Sequence, residues 1–250
     1  MQKHQVSRIS QDVVRRTLRV MSKQSVTPSM LRIVFSSDNI QSFQSPSPDD
    51  HIKIFVPGEG GVGVVGRNFT PREWDSHAGT FVLDFALHDH GPAVTWARRA
   101  HVGDEIEIAG PRGSAVVPDD FNWYLLIGDA TALPAIARRL EFLRPDAPVR
   151  VIALVSDPAE QRYLASSSPS QELTWINSSG DVKRDGATLL DTLARVSPSA
   201  GDGFIWIAAE ASLARGAYRY VIEQRRHPKE WVKASGYWTF GADDGGERIS

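Results

Sequence analysis

Four short segments of this chain carry groups that can hold an anion or a flat ring. In Arg67-Asn68-Phe69-Thr70-Pro71-Arg72, two arginines, a threonine and an aromatic stand within one run. On a strand successive side chains alternate, which would send Arg67, Phe69 and Pro71 one way and Asn68, Thr70 and Arg72 the other. Such a set can bind a phosphate, donate a hydrogen bond and pack against a ring; a solvated edge strand accounts for it equally well. In His88-Asp89-His90-Gly91-Pro92-Ala93-Val94-Thr95, a glycine precedes a helix start with proline in its first turn. The unpaired N–H groups and the positive end of that helix make an anion site, to which Thr95 can add a hydroxyl. His88 and His90 are not expected to ligate a metal, because no further Asp, Glu or His recurs at a useful spacing.

The other two segments are turns. Ala109-Gly110-Pro111-Arg112-Gly113-Ser114 presents an arginine between glycines. Leu126-Ile127-Gly128-Asp129-Ala130-Thr131-Ala132 runs from strand through a small-residue turn into a helix. It lacks the G-x-G-x-x-G pattern of the dinucleotide fingerprint, but the physics is similar: Gly128 permits close approach and the helix start can receive a pyrophosphate. Asp129 is an anion in that position, and capping the helix is its alternative use.

These segments need two different scaffolds. Residues 13–20, 30–36, 51–56, 68–72, 80–88 and 104–109 read as strands, joined by a turn at 25–28, a Ser-Pro loop at 45–50 and a glycine-rich connection at 58–66. Six short strands imply a small antiparallel barrel, interrupted by one helix at 92–100. From residue 119 the period changes. Apolar strands at 123–127, 149–155, 173–176 and 204–208 alternate with helices at 132–142, 186–196 and 211–226, which implies a parallel sheet. The expected fold is therefore two-domain, β then α/β, with domains at 1–118 and 119–250.

Composition sets the remaining bounds. The 250 residues are 41% hydrophobic and 23% charged with net charge −2, so nothing draws the whole chain to nucleic acid or an acidic membrane. There is no cysteine, which excludes disulfides, cysteine-ligated iron–sulfur clusters and thiol nucleophiles. No apolar run approaches the roughly 20 residues of a membrane span, and the N-terminus has no secretory h-region. A cytoplasmic, monomeric protein without membrane insertion is expected.

Taken in order along the chain, the four segments resemble the siderophore-interacting protein family, the NAD(P)H-dependent ferric-siderophore reductases of the ferredoxin-reductase-like superfamily. Gly103-Asp104, Trp96-Ala97 and Gly236-Tyr237-Trp238 with Gly241 add to the match. The resemblance implies an FAD-binding six-stranded antiparallel β-barrel followed by a parallel-sheet nicotinamide-nucleotide domain. It assigns Arg67, with His88, Gly91, Pro92, Ala93, Val94 and Thr95, to the FAD site, Phe69 to ring packing, and Thr70 to the flavin edge where hydride is accepted; Arg72 faces either the flavin or the iron complex. It assigns Gly128, Asp129, Thr131, Glu210 and Trp238 to cofactor contacts in the second domain, with NADPH or NADH as donor; for Glu210, stabilising a helix start is the alternative. A flavin can divide a two-electron hydride into single electrons, and no side chain can.

A ferric siderophore is the implied acceptor, often anionic, met by Lys53 and Arg112. The family's third basic residue after Gly-Tyr-Trp is Thr239 here, with Lys233 or Arg248 as its substitute. Phe69 stands where tyrosine is common, losing a hydroxyl. Ser156 and Arg162 would suit the 2′-phosphate of NADPH, whereas Asp157 would suit a ribose hydroxyl. The rival reading is a flavoreductase with a protein or free-flavin acceptor.

Overall fold

The computed structural model describes residues 3–58, 61–88, 91–164, 168–197, 199–241 and 246–250. Asp89 and His90 lie outside them. Two compact units divide the chain, Met1–Pro118 and Asp119–Ser250.

The first unit holds β1 (Ser7–Ser10), β2 (Arg15–Thr27), β3 (Met30–Ser36), β4 (Ile52–Pro57), β5 (Val64–Phe69), β6 (Glu73–Asp75), β7 (Thr80–Ala86), helix α1 (Pro92–Arg99), β8 (Glu105–Ala109) and β9 (Gly113–Val116). Seven strands pair in the order β5-β4-β8-β2-β3-β7-β6, and β1 pairs with β9 apart from them. Every pairing in the larger sheet is antiparallel. Its two outermost strands, β5 and β6, are consecutive in the chain and joined by only Thr70, Pro71 and Arg72. A flat seven-stranded sheet would hold its edges about 29 Å apart. A three-residue link reaches about 14 Å. The sheet must therefore roll, and Thr70-Pro71-Arg72 is the seam of the resulting barrel. Inside it pack Leu18, Ile33, Phe35, Ile52, Ile54, Phe81 and Phe85, all fully buried.

Several elements depart from the sequence reading. The barrel sheet has seven strands rather than six. Strand β5 ends at Phe69, so residues 70–72 are seam and not strand, while 64–66 belong to β5 and not to the glycine connection. β2 runs on to Thr27, where alternation fails because residues 21–25 are exposed on both faces; pairing with β3 holds it there. β1, exposed throughout, has no period to read and exists because Gly113 lets it approach: a Cβ on Gly113 would lie 2.6 Å from the Ile9 carbonyl oxygen.

The second unit holds β10 (Trp123–Asp129), a 3-10 turn (Ala130–Ala132), α2 (Leu133–Phe142), β11 (Val149–Val155), β12 (Gln171–Asn177), α3 (Val182–Arg195), β13 (Gly203–Glu210), α4 (Ala211–Arg219), β14 (Val232–Trp238) and β15 (Glu247–Arg248). Its sheet order is β12-β11-β10-β13-β14-β15, parallel except for the β14–β15 pair. The chain leaves β10 toward β11 and later returns to β10's other side as β13, so the order reverses between these two strands. In open parallel sheets ligands bind at such a reversal, outside the carboxyl ends of the strands. α3 starts four residues before the sequence pattern suggested, because Asp181 caps it by accepting from the Lys183 and Arg184 amides.

Candidate functional site

In the first unit, the register of β4 and β5 sorts the motif residues by face. Arg67 lies opposite Ile54 and Phe69 opposite Ile52, so both share the core-facing side; Asn68 lies opposite Lys53 on the other. The Phe69 ring packs against Phe85 with centroids 4.7 Å apart. The Arg67 guanidinium donates to the Gly66 carbonyl at 3.0 Å and has no carboxylate partner among the described residues. Thr70 is buried, 7% exposed, and its hydroxyl makes no hydrogen bond among the described residues. Arg72 pairs with Glu73, which Arg32 also approaches, and Arg32 pairs with buried Asp84. That network ties Arg72 to the barrel wall.

Helix α1 is asymmetric at its ends. Gly91 caps its start with φ 124 and no side chain, and the first turn contains no acid. A Cβ on Gly91 would meet the His88 ring at 3.2 Å, so glycine is required there twice over. Ala93 and Val94 are buried, Thr95 is exposed, and Pro92 has no N–H to satisfy. At the other end Lys23 donates to the carbonyls of Ala97, Arg98 and Ala100. The negative end is neutralised by Lys23, and among the described residues no acid stands in the first turn at the positive end.

Lys53 lies across Gly66, where a Cβ would sit 2.6 Å from its Cδ, and its ammonium has no ion pair among the described residues. It also pairs with Ala109, three residues before the exposed Arg112. The turn holding Arg112 is a joint: its carbonyl accepts from Gln11, and Ser114 donates at 2.6 Å to the buried Asp50 carboxylate. Burial pushes the Asp50 carboxyl up, although Ser114, the Ser47 amide and Ser45 pull against it.

In the second unit the polar groups at the reversal are bonded to one another. Asp129 closes β10. One of its oxygens accepts from the Thr131 amide at 2.9 Å and from the Thr131 hydroxyl. The other accepts from the Glu210 amide and from the Trp238 indole Nε1, both at 2.8 Å. Burial pushes this carboxyl up against those four bonds. Glu210 closes β13 and caps α4: one oxygen takes the Ser212 amide and hydroxyl and the Leu213 amide, the other the Phe240 amide at 3.3 Å. Burial alone would raise its pKa, and these donors bring it below the ordinary value. The capping alternatives for Asp129 and Glu210 are thus both realised.

Gly128 is enclosed by protein. A Cβ there would meet Ala132 at 2.7 Å and both the Ala208 carbonyl and Ile136 at 3.0 Å. The close approach it permits is that of the helix to the strand. A bulge in the β13–β14 ladder skips Tyr237, so Glu210 pairs with Trp238. Lys233 lies five residues back along β14, about 17 Å from Trp238, and is not brought to the reversal. Arg248, on β15, pairs with Ser235 of β14. Asp157 caps the turn after β11 through the Ala159 amide, and Arg162 is exposed beside it. Ser212 and Phe240 were not singled out from sequence; Ser212 two places after Glu210 was a capping signal that could have been read.

A cavity of about 180 Å3 lies at the opposite, amino-terminal end of the sheet, among Trp123, Val149, Arg150, Tyr220 and His227. Its polar groups are already engaged: Arg150 with Glu172, Arg225 with carbonyls at the end of α3, and His227 with the Gly203 carbonyl. Among the described residues no cluster of three or more His, Cys, Asp and Glu could hold a metal, and no helix is long and apolar enough to cross a membrane.

A rolled antiparallel unit followed by a parallel sheet with a central reversal is the ferredoxin-reductase-like architecture. The cytochrome b5 reductase domain of Ulva prolifera nitrate reductase shares it at TM-score 0.68 and 14% identity, covering 88% of this chain and 96% of that one. Residues 121–241 match the siderophore-interacting protein model, and residues 19–64 and 59–115 match the siderophore-interacting FAD-binding domain. The chain is 33% identical over 251 residues to the NADPH-dependent ferric-chelate reductase of Escherichia coli (strain K12), covering 92% of this chain and 95% of that protein. A siderophore utilization protein from T. fusca superposes with TM-score 0.87 at 29% identity, covering 98% of this chain and 99% of its own. The chain belongs to the siderophore-interacting protein family.

Proposed function

We propose that this protein is a flavin-dependent reductase that takes electrons from NADPH and delivers them, through FAD, to iron held by a siderophore. The observation that carries this reading is the 33% identity to the NADPH-dependent ferric-chelate reductase across nearly the full length of both chains. The donor groups left open in the first unit fit the cofactor. The Arg67 guanidinium and the start of α1, with the Ala93 and Val94 amides, would hold the phosphates, and the Thr70 hydroxyl would serve the ring edge. Phe69 supplies packing. Bound FAD supplies acceptance of a hydride and release of single electrons.

The protein's own residues then have three tasks. The first unit orients the flavin, the reversal between β10 and β13 presents the nicotinamide, and Lys53 with Arg112 attracts an anionic ferric chelate. The balance is one NADPH and two Fe(III) giving NADP+, one proton and two Fe(II). NADPH is favoured over NADH because Arg162 is exposed beyond β11 while Asp157 is occupied in capping. We place the reaction in the cytoplasm, carried out by a single chain.

Anaerobic titration of purified yellow protein with NADPH and with NADH tests this. The absorbance should bleach at lower NADPH than NADH and return on adding ferric siderophores. Bleaching with no return from any ferric chelate would leave a flavoreductase with another acceptor.

A further inference from the structure

Two buried acids terminate the strands on either side of the sheet reversal, and both reach the same third element. Asp129 at the end of β10 accepts the Trp238 indole N–H, and Glu210 at the end of β13 accepts the Phe240 amide. Residues 238–240 therefore cross the carboxyl ends of both strands as a strap held at two points. The bulge at Tyr237 sets which aromatic is used. Side chains alternate along a strand, so without the skipped residue the Tyr237 position would face Glu210 and Trp238 would be carried out of register.

The strap is fixed, yet its rings are not buried: Trp238 is 37% exposed and Phe240 67% exposed. Large aromatic side chains in a globular protein ordinarily sink into a core. Two rings held in place but left open at a sheet reversal form a surface for another flat ring. The charges agree. Two carboxylates make this a poor place for a pyrophosphate, and they favour the nicotinamide end, whose oxidised ring is cationic.

We propose that Asp129 and Glu210 are positioning residues that clamp the strap 238–240, and that Trp238 and Phe240 form the bed for the nicotinamide ring of the donor. This rests on the reductase reading above. It gives the two acids no contact with the nucleotide: they act through Trp238 and Phe240. It also explains how an aspartate can end the first strand of a nucleotide-binding sheet. Its lone pairs are committed to Thr131, Glu210 and Trp238, and the phosphates lie elsewhere.

The test combines one reading without nucleotide and one with it. Protein labelled with 5-fluorotryptophan gives a fluorine resonance for each indole, and Trp238→Phe identifies the one from Trp238. In Asp129→Asn that resonance should move toward the position of a solvent-exposed indole. Donor KM, and the Kd for NADP+ by calorimetry, should rise about tenfold, with kcat and flavin content little changed, the scale of one hydrogen bond to a charged group. Trp238→Phe should do the same, and the double variant no more than either alone, because both remove one link. Should Asp129→Asn fail to fold, Glu210→Gln, which weakens the other anchor of the strap, carries the KM and Kd prediction, and an unmoved Trp238 resonance with unchanged Kd there would overturn it.

An unmoved Trp238 resonance in Asp129→Asn, unchanged KM and Kd, or effects that multiply in the double variant would each overturn the proposal. If the wild-type protein neither binds NADP+ nor oxidises NADPH or NADH, the reductase reading fails and the bed for the donor falls with it. The fluorine spectrum then still decides whether the clamp exists.

Discussion

The two units treat their polar groups in opposite ways. Among the described residues of the first, Arg67 has no carboxylate partner, the Thr70 hydroxyl makes no hydrogen bond, the start of α1 has no side-chain cap, and Lys53 makes no ion pair over Gly66. In the second, Asp129 and Glu210 are bonded to the amides, hydroxyl and indole around them. A buried polar group left unmade costs about 1–3 kcal/mol. A site can carry that cost if its ligand stays; a site whose ligand leaves at every turnover must be satisfied alone. On the proposed reading, the contrast would separate a resident cofactor, met by groups the protein leaves open, from an exchanged one, met by groups already bonded to one another.

The comparison breaks most visibly at Arg67. Arg67→Ala should lower the flavin-to-protein absorbance ratio of purified protein by weakening FAD by about 1.5–3 kcal/mol, while leaving the melting temperature of flavin-free protein unchanged. A drop in apo stability would mean that Arg67 is structural. The mirror case is Glu210→Ala, which removes the cap of α4 and the Phe240 anchor. It should cost about 1 kcal/mol, or about 2–4 °C in melting temperature, with flavin content intact. Lys53→Ala should do neither: exposed charge interactions amount to about 0.2–1 kcal/mol, seen as a few-fold rise in KM for anionic ferric siderophores. Loss of flavin instead would merge two sites that the sequence kept apart.

The smallest effect concerns pH. Asp50 in the first unit has its pKa raised by burial, so its stabilising contribution is full below the ordinary 3.8 and is lost as pH rises through the shifted value. In the second unit, donors from Ser178 and Ser179 outweigh burial at Asp185 and lower its pKa. Its contribution is present above 3.8 and is lost as pH falls through the shifted value. The melting-temperature cost of Asp50→Asn should therefore shrink as pH rises, and that of Asp185→Asn as pH falls. Parallel trends would refute the assignment of the two environments.

Most strands and helices were legible where they rest on a local signal: period-2 alternation in β4, continuous apolar runs in β10 and β11, glycine before proline at α1. What escaped were features created by pairing. The exposed β1 exists only against β9. The seam could not be read from alternation across residues 67–72, because it depends on which strands end up at the sheet edges. Gly128 was read as room for a ligand, and the structure fills that room with Ala132 and Ile136. The strap was hidden for a similar reason: a single skipped residue in a ladder leaves no mark on composition, and Ser212 and Phe240 gain meaning only once Glu210 is seen between them.

The seam has a consequence for assembly. The segment that brings the barrel edges together carries Thr70 and follows Arg67 by three residues, so on the proposed reading loading and closure would share the same few residues. Before loading, the β5–β6 connection is the place where the roll is held by the shortest covalent link. A ligand touching Arg67 and Thr70, as proposed, would fasten that link further. On that proposed reading, cofactor supply would help to set how long newly made chains survive proteolysis.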